Sequence, residues 1–209
     1  MRNALYSNLL RPAFTLMAFL ALSFSNPAAS HAASNVWSSH GPPGAYIKAI
    51  AIAPTPTATI YVASNGSGVF KISAGGTAWA AASTGLTNRS MTALSVDVLS
   101  FSTIYAGTAG AGVFKTVNSG GLWSATGLTT DTVNAIASGT GAVYAATTTG
   151  GVYRSTNGGT AWLQVNTGIT NLNITSIALS PDFATDNTLF AGTLGGGIFK
   201  SSDRGDSWT

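Results

Sequence analysis

Gly68-Val69-Phe70-Lys71, Gly112-Val113-Phe114-Lys115, Gly151-Val152-Tyr153-Arg154 and Gly197-Ile198-Phe199-Lys200 are one phrase written four times: glycine, aliphatic, aromatic, basic. Each copy is followed by a tryptophan, and Trp79, Trp123, Trp162 and Trp208 stand 44, 39 and 46 residues apart. Self-similarity at such a period marks a repeat architecture, in which one unit buries its apolar face only against its neighbours.

Two further runs recur upstream. Thr59-Ile60-Tyr61-Val62-Ala63 has counterparts at 103–107, 142–146 and 188–192, whose β-branched and aromatic residues suit a buried pleated surface. Ahead of these lie small and aliphatic stretches, Ala49-Ile50-Ala51-Ile52-Ala53 and its counterparts at 92–96, 133–137 and 174–178, fit for a crowded strand near an axis. With an outer strand starting at each Trp, the unit has four short antiparallel strands and Gly-rich turns. The expected class is therefore all-β, a β-propeller of four-stranded antiparallel blades with about four blades over residues 36–209.

The stretch Ser202-Asp203-Arg204-Gly205-Asp206-Ser207-Trp208 resembles the Asp box, or BNR repeat, Ser-x-Asp-x-Gly-x-x-Trp. Degenerate copies carry Asn118, Gly120 and Trp123, then Asn157, Gly159 and Trp162, whereas Ala74 replaces the Asp in the copy with Gly76 and Trp79. The resemblance implies a structural hairpin turn between third and fourth strands, away from the ligand face. Asp or Asn accepts turn amides, Gly takes positive φ and Trp packs beneath.

Trp37 opens like an outer strand with no blade before it, and Thr209 follows Trp208 where the last outer strand begins. Two readings follow: a closed four-bladed ring in which residues 36–40 complete the last blade, or an open fragment of a larger propeller with unpaired edges prone to self-assembly.

Residues 1–33 combine Arg2 and Arg11, an apolar run from Ala13 to Phe24 and the small-residue stretch 25–33, the pattern of a secretory signal peptide. Export by the general secretory route to the periplasm or the extracellular space is expected, with no membrane span after cleavage. Removal of Arg2 and Arg11 leaves seven Lys and Arg against six Asp, so the pI of 9.4 carries no nucleic-acid footprint. Cysteine is absent, so no disulfide contributes.

In Asp-box propellers the ligand face is formed by the connections between blades and between second and third strands. The latter are bare glycine turns here. The former offer His40, Tyr46, Asn88, Arg89, Asp131, Asn171 and Asn173, neutral amides and hydroxyl neighbours with one arginine, suited to hydrogen bonding a protein or polysaccharide. A glycosidase needs two carboxylates. All six acids are Asp, and only Asp131 is placed on that face.

Sialidases share the Asp box but pair a Glu with a Tyr nucleophile and grip substrate with three arginines. This chain has no Glu, and Arg89, Arg154 and Arg204 lie in different parts of the blade. One mature histidine and no cysteine leave no metal site or triad, and no cofactor is expected. The reading is an exported non-catalytic scaffold, similar in architecture to sortilin-like receptors and photosystem assembly factors. The alternative is an N-terminal fragment of a propeller hydrolase like the family 74 xyloglucanases, which use two Asp on longer chains.

Overall fold

The computed structural model describes residues 41–54 and 58–209; the leader at 1–33, Trp37 and His40 lie outside them. Blade 1 runs β1 (Ile47–Ala53), β2 (Thr59–Ser64), β3 (Gly68–Ser73), β4 (Ala80–Ala81), and blade 2 runs β5 (Met91–Val96), β6 (Ile104–Thr108), β7 (Val113–Thr116), β8 (Ser124–Ala125). Blade 3 consists of β9 (Val133–Gly139), β10 (Ala142–Thr147), β11 (Val152–Ser155), β12 (Leu163–Gln164); blade 4 of β13 (Ile174–Leu179), the helical turn α1 (Phe183–Asp186), β14 (Leu189–Thr193), β15 (Gly197–Ser201). Every sheet is an antiparallel meander in chain order, and blade 4 has three strands. Thr209 nevertheless exchanges both backbone hydrogen bonds with Lys200, at 2.8 and 2.9 Å, as the first residue of a fourth.

The first strands lie side by side in series, β1 beside β5, β5 beside β9 and β9 beside β13, so they line a common axis. Among the described residues β13 does not pack comparably on β1, and the blades form an open arc rather than a closed four-bladed ring. Second strands are caught between two blades, which is why β6 and β10 are buried along their whole length and are apolar on both faces.

Each hydrophobic cluster joins two neighbouring blades. One unites Tyr61, Ala63 and Val69 of blade 1 with Ile104, Phe114 and Trp123 of blade 2. The next holds Tyr105 and Val113 against Val143, with Trp162 packed on it, and the last holds Tyr144 and Val152 against Leu189 and Trp208. Burying a side chain of this size contributes about 1.5–3 kcal/mol, so blade stacking is the chief source of stability.

The turns between third and fourth strands follow one design. Ser201 Oγ donates to Asp203 Oδ1 at 2.7 Å and accepts Gly205 N at 2.8 Å, while Asp203 Oδ1 also accepts Ser207 N at 3.0 Å. Thr116 with Asn118 and Ser155 with Asn157 repeat it, receiving Gly120 N and Gly159 N. The hydroxyl therefore belongs to Ser201, buried two residues before Asp203, and not to Ser202, which is exposed. Three hydroxyl and amide bonds hold Asp203 down at about pKa 2, with Ser207 the largest cause. Ile72 and Ala74 stand at these positions in blade 1 and offer neither hydroxyl nor carboxyl.

These turns also couple blades. The basic residue of the repeated phrase reaches a carbonyl in the next blade's turn: Lys71 to Ser119 O at 2.9 Å, Lys115 to Gly158 O at 2.9 Å and Arg154 to Arg204 O at 2.8 Å. Tyr61 and Tyr144 donate to the same carbonyls at 3.3 and 2.8 Å. Trp123 and Trp208 point their indole N–H back at Ala82 O and Val165 O of the preceding blade, at 2.7 and 2.8 Å.

Candidate functional site at the axial mouth

Each first strand carries a register shift at the same place. The pairing jumps between Ile47 and Ala49, between Met91 and Ala93 and between Ile174 and Ser176, and β9 skips from Val133 to Ala135 opposite Ala146 and Thr147. The residues passed over are Lys48, Thr92, Asn134 and Thr175. A β-bulge inserts one unpaired residue and re-aims its side chain. Here it puts one polar side chain per blade on the axis, where regular alternation would have kept the strand apolar and small.

These four side chains, with Thr148 and Asn173, line one cavity of about 400 Å3. The wall is built of amides and hydroxyls, several of them held. Thr92 Oγ1 donates to Val133 O, Asn134 Nδ2 to Ile174 O at 2.7 Å and to Thr148 Oγ1 at 3.2 Å, and Thr175 Oγ1 to Gly192 O at 3.1 Å. Lys48 is the only cation of the wall, and its ammonium sits 4.7 Å from the centroid of the Tyr46 ring, which is 64% exposed. The mouth therefore presents fixed neutral donors and acceptors, one ammonium and one exposed ring.

Of the residues singled out in the sequence, Asn173 lines this mouth and Tyr46 flanks it. The others are occupied elsewhere. Asn88 Nδ2 donates to Ala109 O and its Oδ1 accepts Ser90 N; Asn171 does the same with Leu194 O and Asn173 N, at 2.8–3.0 Å throughout. Both tie an inter-blade loop to the next hairpin. Asp131, at φ 82°, accepts Thr132 N at 2.7 Å through one oxygen and Thr149 Oγ1 and Gly150 N at 3.0 and 2.8 Å through the other.

Arg89 lines a separate cavity of about 460 Å3 with Ser67, Phe70 and Ser83, and its carbonyl accepts Gly66 N and Gly68 N. His40 lies outside the described residues. Lys48, Thr92, Asn134 and Thr175 were not reached by reading loops, because they belong to strands. The available signal was the recurrence of an apolar-polar pair at each strand start: Ile47-Lys48, Met91-Thr92, Val133-Asn134, Ile174-Thr175.

The remaining carboxylates lie at the other end of the blades. Asp97 caps the β5–β6 connection through Leu99 N and Ser100 N, and Asp186 holds the β13–β14 connection through Ser180 Oγ and Thr188 N, bonds that lower its pKa. Asp206 pairs with Arg154 at 2.8 Å. Among the described residues no cluster of His, Cys, Asp or Glu suits a metal ion, and no helix is long and apolar enough to cross a membrane.

No protein-family model and no curated protein matches the chain. Solved propellers do. An ancestral GH74 enzyme superposes with TM-score 0.63 at 24% identity over 83% of this chain and 25% of its own. The GH74 xyloglucanase from Xanthomonas campestris gives 0.62 at 17% over 83% of this chain and 31% of its own. YCF48 bound to D1 peptide gives 0.59 at 16% over 79% and 54%. The chain thus spans a quarter to about half of these proteins, and what it shares with them is the propeller fold.

Proposed function

We propose that this chain is an exported, non-catalytic Asp-box propeller that binds a polysaccharide at its axial mouth. The observation that carries the reading is the set of aligned bulges, which brings Lys48, Thr92, Asn134 and Thr175 from all four blades to one cavity with Asn173 and Thr148. Neutral amides and hydroxyls match sugar hydroxyls as both donors and acceptors, and the exposed Tyr46 ring offers a flat apolar face for a pyranose. The alternating hydroxyl and Asp/Asn turns support the Asp-box assignment, and the leader pattern at 1–33 supports export. A protein partner at the same mouth is less well matched by so uncharged a wall.

The absence of catalysis rests on Asp131. It is the one acid near this face, and three loop hydrogen bonds occupy its two oxygens. No second described carboxylate stands beside it to share general acid and nucleophile roles. The second reading, a piece of a GH74-type hydrolase, draws on the likeness to enzymes of which the chain covers only 25% and 31%.

Isothermal titration with xyloglucan oligosaccharides tests the proposal. Binding is expected without release of reducing ends, and Asn134→Ala weakens it about tenfold, as the loss of the Oδ1 acceptor that Ile174 O and Thr148 hold in place through Nδ2 implies. Hydrolysis that disappears in Asp131→Ala would replace the scaffold by the enzyme reading. Heat with a peptide library and none with glycans would transfer the mouth to a protein partner.

A further inference from the structure

The three blade junctions share one polar design, and the middle junction departs from it. Ser119 O receives both Lys71 and Tyr61, and Arg204 O receives both Arg154 and Tyr144. Gly158 O receives Lys115 alone, at 2.9 Å. Tyr105, the tyrosine of that junction, is 2% exposed, yet its hydroxyl has no hydrogen-bond partner among the described residues. Polar groups this deep are normally paired, so an unpaired one calls for an explanation.

The cause lies in the connections at this end of the blades, opposite the axial mouth. Between blades 3 and 4 the long β13–β14 connection carries α1, whose Phe183 meets the Tyr144 ring edge-on at 5.9 Å. Between blades 2 and 3 the β9–β10 connection is only Thr140-Gly141, with Gly141 at φ 79°, and it has no aromatic to set over Tyr105. A cavity of about 130 Å3 opens there, and Tyr105 lines it together with Asp97, Ala142, Val143 and Thr156. Asp97 Oδ1 accepts Leu99 N and Ser100 N, at 2.8 and 3.2 Å, while its Oδ2 has no partner among the described residues.

We propose that this cavity is a second binding site, which takes the acetamido group of an N-acetylhexosamine. The ionised Asp97 Oδ2 can only accept, so it selects an N–H. The Tyr105 hydroxyl donates to a C=O; burial, and after it the Asp97 charge, push its pKa up to about 12, so the proton stays on. Ala142 and Val143, both buried, give a methyl group its apolar wall. The acetamido group unites these three features, and its four heavy atoms match room for about four water-sized groups at roughly 30 Å3 each. Other occupants fit less well. An anion is repelled by Asp97, a cation meets the Lys115 ammonium 5.5 Å from the centre of the Tyr105 ring, and a metal ion finds one carboxylate. At the rim, Leu99 is 72% exposed and offers an apolar face to the sugar ring, beside the exposed hydroxyl of Thr156. So small a cavity suits an acetamido group attached directly to its ring, whereas an acetylated lysine needs a channel for its stem.

Titrating N-acetylglucosamine into the isotopically labelled chain, with glucosamine and glucose as controls, tests it. Saturable amide shifts at Asp97, Gly141, Ala142 and Thr156 are expected with N-acetylglucosamine at millimolar concentration, and none at these residues with the controls. Tyr105→Phe weakens binding about tenfold, and Asp97→Asn, which keeps the Oδ1 cap, by at least as much. Because the hydroxyl has no partner to lose, Tyr105→Phe leaves Tm unchanged, in contrast to Tyr144→Phe. Equal shifts with all three sugars would mean an adventitious polyol site only and would overturn the proposal. So would no saturable shift, shifts confined to the axial mouth, or tighter binding of an Nε-acetyl-lysine peptide. A Tyr105→Phe variant that binds undiminished or melts lower would overturn it equally.

Discussion

Asn118→Ala removes one acceptor from the turn of blade 2 and measures what these turns contribute. Asn118 Oδ1 receives Thr116 Oγ1 and Leu122 N, both at 2.8 Å. Leu122 is exposed, so water replaces much of that bond, but Thr116 is 1% exposed and its hydroxyl loses a buried acceptor. At about 0.5–1.5 kcal/mol for each net hydrogen bond, the two sum to roughly 1–2 kcal/mol. For a domain of this size each kcal/mol lowers Tm by about 2–4 °C, which gives a fall of roughly 2–8 °C.

The companion Asn118→Asp keeps the same oxygen and adds the charge found at Asp203, whose second oxygen also receives Ser207 Oγ. It is expected to match or exceed the parent at neutral pH, because hydrogen bonds to a carboxylate are the stronger kind. Calorimetric melts of the three proteins at pH 7 give the answer. An alanine variant with unchanged Tm, or an aspartate variant that loses as much as alanine, would show that the side chain does not organise the turn.

Gly112→Ala places a Cβ 2.0 Å from Leu128 O at φ 65°, whereas Gly110→Ala, at φ 89°, meets nothing within 4 Å. Urea unfolding should therefore separate them, with about 1 kcal/mol lost at Gly110 and roughly 3 kcal/mol or more at Gly112. Asp203, with its folded pKa lowered to about 2, binds a proton more weakly than in the unfolded chain. Its contribution is fully present above about pH 4, the unfolded value, and is lost as pH falls through about 2. Melts across that window should show a slope that Asp203→Asn reduces; an identical slope in the variant would refute the assignment. Tyr144→Phe removes one of two donors to Arg204 O and costs about 0.5–1 kcal/mol. Arg154→Met removes the other along with the Asp206 pair, and the double variant should lose more than the sum of the single losses in denaturant titrations, because either donor alone still satisfies the shared carbonyl and only the double leaves it unpaired.

The blades were legible because the repeated phrase and the tryptophans sit in fixed register, and a second strand buried on both faces must be apolar on both. The partners of the repeated basic residue were not legible. Lys71 meets Ser119 across 48 residues, a distance set by how blades stack and not by any local pattern. The turn hydroxyl was visible in principle, since the spacing Ser-x-Asp itself selects Ser201 over Ser202.

Loop residues at the mouth were recognised as loop residues, but chemical type could not say which way they point. Asn88 and Asn171 turn back on their own loops, while Asn173, two residues on, faces the cavity. Lys48, Thr92, Asn134 and Thr175 escaped because a bulge breaks the two-residue period on which strand reading depends. In an unbroken strand each would be one more alternating position, with no reason to meet its counterparts. Closure was open to two readings for a related cause: whether blade 4 meets blade 1 depends on the rotation between blades, which no residue pattern encodes.

The central claim is that aligned bulges make the axial mouth the binding surface. Titrating a xyloglucan oligosaccharide into the isotopically labelled chain and following backbone amide shifts by NMR tests it most directly. The account predicts perturbations clustered at Tyr46, Lys48, Thr92, Asn134, Asn173 and Thr175, with the turns around Asn118, Asn157 and Asp203 unmoved. Shifts centred on those turns, with the first-strand bulges silent, would contradict it.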